Sequence, residues 1–405
     1  MTTKGKSWSR WLAGAAIALA LATGPALADD TLDRGVGSEW SSLDPQVNFD
    51  AAAGWILADA YEGLVNFDPT GKIIPGAAES WDVSADGKTY TFHLREGLKW
   101  SNGDPLVAQD FVNGVLRTLN PDTVSEKGYY FYSTIQIKGA GALANGETKD
   151  PAVLGMTAPD DRTVVIEMDT PAPHILDLMG SFQLAPLHSP SFAAGGAAVF
   201  IDPAQVVSNG AYLIKEVVPQ SHVLLEKNPN YWDAANVKIP FVKYHVTEDV
   251  GTELKRYQAG ELDITYDIPL ADLETLQAEI PDEVRTFGST YLIYYSFNLS
   301  NPDLSNPDLR RALSLALDRE VLEGKIVKGG GVPTLSYAGG FDPEYAAPQI
   351  AEASMSQAER EALAQELYAK AGYGPDNPQK LSVAATAAEV NVRRAQGAGV
   401  MRTVV

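Results

Sequence analysis

The stretch PGAAESWDVSADGKTYTFHLREGLKWSNGDPLVAQD, residues 75–110, carries the densest structural instruction in this 405-residue chain. Tyr90, Phe92 and Leu94 alternate with Thr91, His93 and Arg95. An apolar side chain at every second position marks a strand with one buried face. Ala85-Asp86-Gly87-Lys88 supplies the turn before it, because Gly takes positive φ without strain. Ser101-Asn102-Gly103-Asp104-Pro105 predicts a second turn, followed by a helix over Ala108–Leu119 that Asn120-Pro121 closes. Asp82, Ser84, Asp86 and Thr89 imitate the first half of a calcium loop. The twelfth position, where such a loop needs a bidentate Glu, is His93 inside the strand, so the hairpin is the better reading.

Outward from this stretch, strands and helices interleave. Residues 52–61 read as a helix after Leu43-Asp44-Pro45. Residues 163–168, 223–226, 241–246 and 263–266 read as strands, and residues 291–297 as an aromatic strand. A helix over residues 250–259 stops at Gly260. Asn306 caps another, with Pro307 at its first position and Leu309, Leu313 and Leu317 on one face. Ser356 and Glu359 form a capping box for a helix carrying Leu363 and Leu367 and ending at Gly372. The class is therefore α/β or α+β. The length predicts two or three domains. With no low-complexity linker or internal repeat, they must share strands or be tightly joined.

Lys4, Lys6 and Arg10 precede an uncharged Ala- and Leu-rich run, then Pro25 and Ala26-Leu27-Ala28. That is the layout of a secretory signal peptide over residues 1–28, with cleavage expected after Ala28. No later segment is long and apolar enough to span a membrane. The chain has no cysteine, so the first mature position, Asp29, cannot carry a lipoprotein's lipid. The expected place is the periplasm, as a free protein. A formal net charge of -21 argues against nucleic acid, which needs a basic field.

No cofactor, metal or catalytic site is legible. The five histidines, His93, His174, His188, His222 and His245, are scattered rather than set at metal-ligand spacing. Gly139-Ala140-Gly141 lacks the strand-loop-helix setting of a dinucleotide site and reads as a plain loop. There is no Gly-x-Ser-x-Gly elbow or His-Glu-x-x-His. Tyrosine clusters at Tyr129, Tyr130 and Tyr132, and again at Tyr291, Tyr294 and Tyr295. Core packing explains such clusters; so does the lining of a ligand cleft, where each ring offers contact area and a polar tip.

Taken together, the segments resemble one family. They are Ser42-Leu43-Asp44-Pro45, Tyr61-Glu62-Gly63-Leu64, residues 75–110, Ser208-Asn209-Gly210-Ala211-Tyr212, KNPNYW at 227–232, ELKRYQAGELDITYDIP at 253–269, residues 294–298 and LRRALSLALDR at 309–319. The chain resembles the family 5 extracellular solute-binding proteins of bacterial ABC importers, in the oligopeptide-binding subgroup. The resemblance implies a class II, periplasmic-binding-protein-like fold of two hinged lobes with an extra domain. Domain I would comprise 29–61 and 191–288, domain II (the extra domain) 62–190, and a partial, incomplete domain III 289–382. It implies a protein that catalyses nothing. It would bind an oligopeptide between its lobes, as a monomer, and deliver it to an inner-membrane permease. Main-chain pairing and water-filled side-chain pockets would accept many sequences. The ligand residues it implies are Asn48, Phe49, Asp50, Ala51, Tyr129, Tyr130, Tyr266, Asp267 and Tyr294. The same fold in relatives takes dipeptides, sugars or metal complexes, and a chaperone or signalling binder would use the same cleft.

The resemblance stops near Leu381-Ser382-Val383. Residues 383–405 have the Ala, Arg, Gly and Val bias of a wrong reading frame, and the family's Trp-x-x-Asp-Tyr-like segment, whose Asp meets the peptide's α-ammonium, has no counterpart here. The expectation is an aberrant tail, a third domain that cannot bury its helix faces, and weak peptide binding.

Overall fold

The computed structural model describes residues 30–48, 50–125, 127–180, 184–286, 292, 294–337, 348–374 and 398–400. Two four-stranded sheets dominate. The first has the order β1-β10-β9-β8, from Thr31–Gly35 (β1), Tyr212–Val218 (β8), His222–Lys227 (β9) and Phe241–His245 (β10). β1 runs parallel to β10 and the other pairs are antiparallel. The second sheet is wholly antiparallel, β4-β5-β7-β6, from Ala78–Val83 (β4), Thr89–Leu94 (β5), Met156–Asp160 (β6) and Thr163–Glu167 (β7). Val65–Phe67 (β2) and Ile73–Pro75 (β3) make a small hairpin between them in sequence.

The alternation read from residues 89–94 is realised. Tyr90, Phe92 and Leu94 are buried in β5, and Ser84 N–H closes the preceding turn on Thr89 O at 2.9 Å. Gly87 sits at φ 68°, and Asp86 accepts from Ser84 Oγ and Lys88 N–H, a self-contained turn. One apolar core takes residues from both sheets: Phe92 and Ile166 from the second, Leu225 and Tyr244 from the first, with Ile56 and Phe111 from helices. Those helices are Ala51–Ala60 (α1) and Ala108–Leu119 (α2). A shared core explains the missing linker. A second cluster, Leu254, Tyr257, Leu262, Ile268, Leu276 and Val284, lies under Val250–Gln258 (α3) and Leu270–Glu279 (α4).

Four expectations need correction. Residues 263–266 make only a parallel bridge to β1, Arg34 to Ile264, because the next amide in the ladder is taken by a side chain described below. Residues 292 and 294–297 are not a strand; Tyr294 and Tyr295 are 56% and 65% exposed, and the rest of the expected strand lies outside the described residues. Gly139 opens a short helix, Ala140–Ala144, rather than a plain loop. In Pro307–Leu315 (α5) the buried face is Leu309, Ala312 and Leu315, and Leu317 lies beyond the helix end. The Asn306 cap and the Ser356–Glu359 capping box of Gln357–Lys370 (α6) form as expected.

The region from 294 to 374 buries little. α5 packs on α6, and Arg311 pairs with the buried Glu352, but among the described residues Ile326, Val332 and Tyr337 remain 68%, 88% and 75% exposed. Few buried apolar contacts mean low local stability. Limited proteolysis should therefore cut within residues 317–337 before it cuts either sheet; first cleavage between 78 and 167 would contradict this. Within the segment set apart as foreign, Ala398–Val400 pairs antiparallel with Val284–Thr286.

Candidate functional site

The residues singled out for ligand contact fall into three groups. The first stands on the loop after Leu43. Asp44 and Arg117 form a buried bidentate pair, at 2.6 and 2.5 Å, in which α2 holds the loop. Arg117 also donates to Gln46 Oε1 at 2.8 Å, and its guanidinium lies over the rings of Phe192 and Phe200. Gln46 Nε2 donates to Ala185 O, Ser125 Oγ to Gln46 O, and Lys127 Nζ to Pro45 O at 2.5 Å. Lys127 is 1% exposed, and burial pulls its ammonium down to about 7 against the attraction of Asp44 and Asp50. The loop is thus fixed from behind before it reaches Asn48.

Asn48 is 1% exposed and donates from Nδ2 to Asp50 at 2.7 Å, while its Oδ1 is buried without a partner among the described residues. Asp50 caps α1 by accepting from Ala53 N–H at 2.7 Å, and takes the Ser41 N–H and hydroxyl as well. Burial alone would raise its carboxyl; the hydrogen bonds from Ser41, Ala53 and Asn48 outweigh that and hold it below the usual range. Ala51 is the first residue of α1. Phe49 lies outside the described residues.

The second group is built on Glu253, which sequence reasoning missed. Its Oε2 accepts from Tyr266 N–H at 3.1 Å and from Asp267 N–H at 3.3 Å. In a continuing parallel ladder Tyr266 N–H would go to Gly35 O; Glu253 takes it instead, which ends the bridge. Glu253 is 1% exposed and its Oε1 has no hydrogen-bond partner among the described residues. A Cβ on Gly35 would collide with that carboxylate, and one on Gly37, at φ 77°, would meet the Tyr266 ring at 2.7 Å. Gly35 at the end of β1 and Gly37 two residues beyond it let Glu253 and Tyr266 close in. The available signal was an acid on α3's buried face, in line with Leu254 and Tyr257. Asp267 also lines a groove of about 680 Å³ between α3 and α4.

The third group is aromatic. Tyr129, 58% exposed, packs edge-on against Tyr130 and Tyr132 at 6.1 and 5.7 Å, on a turn closed by Tyr130 N–H donating to Lys127 O at 2.9 Å. The first and third groups are therefore tied by one lysine. Tyr294 stands apart, edge-on to Tyr337 at 5.3 Å.

Other quoted motifs converge elsewhere. Glu62 accepts from Tyr231 Oη at 2.5 Å and Trp232 Nε1 at 2.7 Å. Asn209 clasps the Glu62 main chain in both directions, and Arg95 stacks on Trp232 at 3.6 Å. Asn228 Nδ2 donates to Gly210 O. Tyr-Glu-Gly-Leu, Ser-Asn-Gly-Ala-Tyr and Asn-Pro-Asn-Tyr-Trp thus form one polar knot joining the two sheets' territories.

Comparison with known proteins agrees with this architecture. The profile of the bacterial extracellular solute-binding proteins, family 5, matches residues 72–400, running through the tail that the sequence reading sets apart. The periplasmic oligopeptide-binding protein OppA of Escherichia coli (strain K12) is 34% identical over 370 residues, 91% of this chain and 67% of its own. Among solved structures, the murein tripeptide binding protein MppA of Escherichia coli superposes with a TM-score of 0.79 at 32% identity, covering 86% of this chain and 67% of that one. Haemophilus influenzae OppA in complex with RPPGFSPFR gives 0.76 at 33%, covering 86% and 68%. The chain spans about two thirds of the length of the relatives it matches.

Proposed function

Since the chain belongs to the bacterial extracellular solute-binding proteins, family 5, we propose that it is the periplasmic binding component of an ABC importer and takes oligopeptides. It holds them in an inter-lobe cleft and passes them, as a monomer, to an inner-membrane permease, without chemical turnover. Residues 1–28 are its signal peptide, and the mature chain carries no lipid.

The observation that carries this reading is the pinned Asn48–Asp50 loop beside the Lys127–Tyr130 turn. A binding wall for varied peptides needs main chain held rigidly, since side chains cannot anticipate the ligand. Here a buried ion pair and three main-chain carbonyl contacts fix it: Lys127 to Pro45, Ser125 to Gln46 and Gln46 to Ala185. Asn48, Phe49, Asp50 and Ala51 are assigned to one wall. Tyr129, Tyr130 and Tyr294 supply sequence-tolerant aromatic surface, and Tyr266 and Asp267 a second wall. The match to a peptide-bound relative supports the assignment.

Calorimetric titration of the purified chain with trialanine and with a mixed tripeptide library tests it. The expected result is binding with Kd above about 1 μM, weaker than about -8 kcal/mol, and a loss of about tenfold in Tyr266→Ala. A folded chain that binds no peptide would sink the reading.

A further inference from the structure

We propose that Glu253 is a positioning residue for the ligand cleft: its carboxylate fixes the main chain of Tyr266 and Asp267 against the end of β1, so that its ionisation sets how firmly that wall is held. This rests on the assignment of Tyr266 and Asp267 to the cleft.

The geometry comes first. Two successive amides, of which the Tyr266 N–H would otherwise extend the ladder to β1, are turned onto one oxygen of Glu253. The other oxygen is buried against Gly35, and among the described residues it has no hydrogen-bond partner. An acceptor bearing a full charge makes hydrogen bonds about twice as strong as a neutral one. The ionised carboxylate therefore grips the 266–267 main chain, and the protonated acid grips it less.

The titration falls where this matters. Burial pushes the Glu253 carboxyl up to about 7; the Asp267 charge adds to the rise, while the Asp267 and Tyr266 amides and Arg256 oppose it. β1 faces it with Gly35, which has no charge. One turn along α3, Arg256 is shared with Glu261 and His245, and His245 bonds Asp33 of β1. Because the folded pKa lies above the ordinary 4.5, Glu253 keeps its proton in the folded state after losing it in the unfolded one. Its contribution to stability is complete below pH 4.5 and lost as pH rises through about 7. Local order at 266–267 runs the other way, tightening as the charge forms. Global stability and local grip should thus change in opposite directions between pH 6 and 8.

The test uses the full chain and Glu253→Gln, which keeps an acceptor oxygen and loses the proton equilibrium. Amide exchange, expressed as protection factors so that the intrinsic pH dependence cancels, is followed at Tyr266 and Asp267 with β9 amides as reference. Protection at 266–267 should rise about tenfold from pH 6 to pH 8 in the wild type and stay flat in the variant. Trialanine affinity should rise severalfold over the same range in the wild type alone. Protection that is flat in the wild type, or that rises equally in Glu253→Gln, overturns the proposal. Protection that responds while trialanine binds with a flat profile refutes the link to the ligand. Protection that responds while trialanine binds at no pH upholds the anchor and sinks the peptide assignment instead.

Discussion

Asp44→Ala should lower the unfolding free energy by about 3–5 kcal/mol, because it strands a buried guanidinium. Asp44 and Arg117 are 4% and 8% exposed; among the described residues Gln46 is the one further acceptor for Arg117, whose Nε is unpartnered. The single change removes both charge-assisted bonds and leaves the positive charge between Phe192 and Phe200. Replacing both partners, as Asp44→Leu with Arg117→Met, removes the charge together with its counter-charge. That double variant should recover most of the loss, since apolar pairs of similar volume often match or exceed a buried ion pair. Urea unfolding followed by tryptophan fluorescence measures both. A loss under about 1 kcal/mol in Asp44→Ala would mean that water reaches Arg117. Should the double variant regain stability but not peptide affinity, the ion pair serves mainly to place Asn48–Ala51.

The hairpin of residues 78–94 was legible because its information is local. Alternation, a glycine turn and a helix ended by Asn-Pro each act over a few residues, and the structure reproduces them. The N-caps at Asn306 and Ser356 were legible for the same reason. Residues 263–266 were misread because the competing acceptor for Tyr266 N–H comes from a helix thirteen residues earlier. Leu317 was placed on α5's apolar face because period alone does not say where a helix stops; Asp318 starts a new cap by accepting from Val321 N–H. The candidate site was reachable only through resemblance. Asn48 and Asp50 are ordinary residues in sequence, and their rigidity comes from Arg117, Lys127 and Ser125, some seventy to eighty positions away. No periodicity within a window can report such a contact.

Gly210→Leu should be the other severe change, costing about 4 kcal/mol or more. A Cβ at Gly210 would stand 2.5 Å from the Ala60 carbonyl carbon and 2.6 Å from Tyr61 N, both backbone atoms that cannot rotate away. Overpacking of this kind costs about 1–3 kcal/mol by itself. The displacement also opens two bonds, Gly210 N–H to Ala60 O at 2.8 Å and Asn228 Nδ2 to Gly210 O at 2.9 Å. Each buried group left unpaired adds about 1–3 kcal/mol. Asn209 and Glu62 sit in the same knot, so the penalty falls on the joint between the sheets, at the opposite end of α1 from Asp50 and Ala51. That separation can be measured. Refolded Gly210→Leu at low temperature should bind trialanine with near-native affinity per folded molecule, while its thermal midpoint falls sharply. The opposite pattern, a stable protein with lost binding, would place Ser208–Tyr212 in the cleft and reverse the roles assigned to the motifs. The segments that identify the family most readily would then be its ligand contacts; the geometry makes them its fasteners, because their side chains are spent on one another.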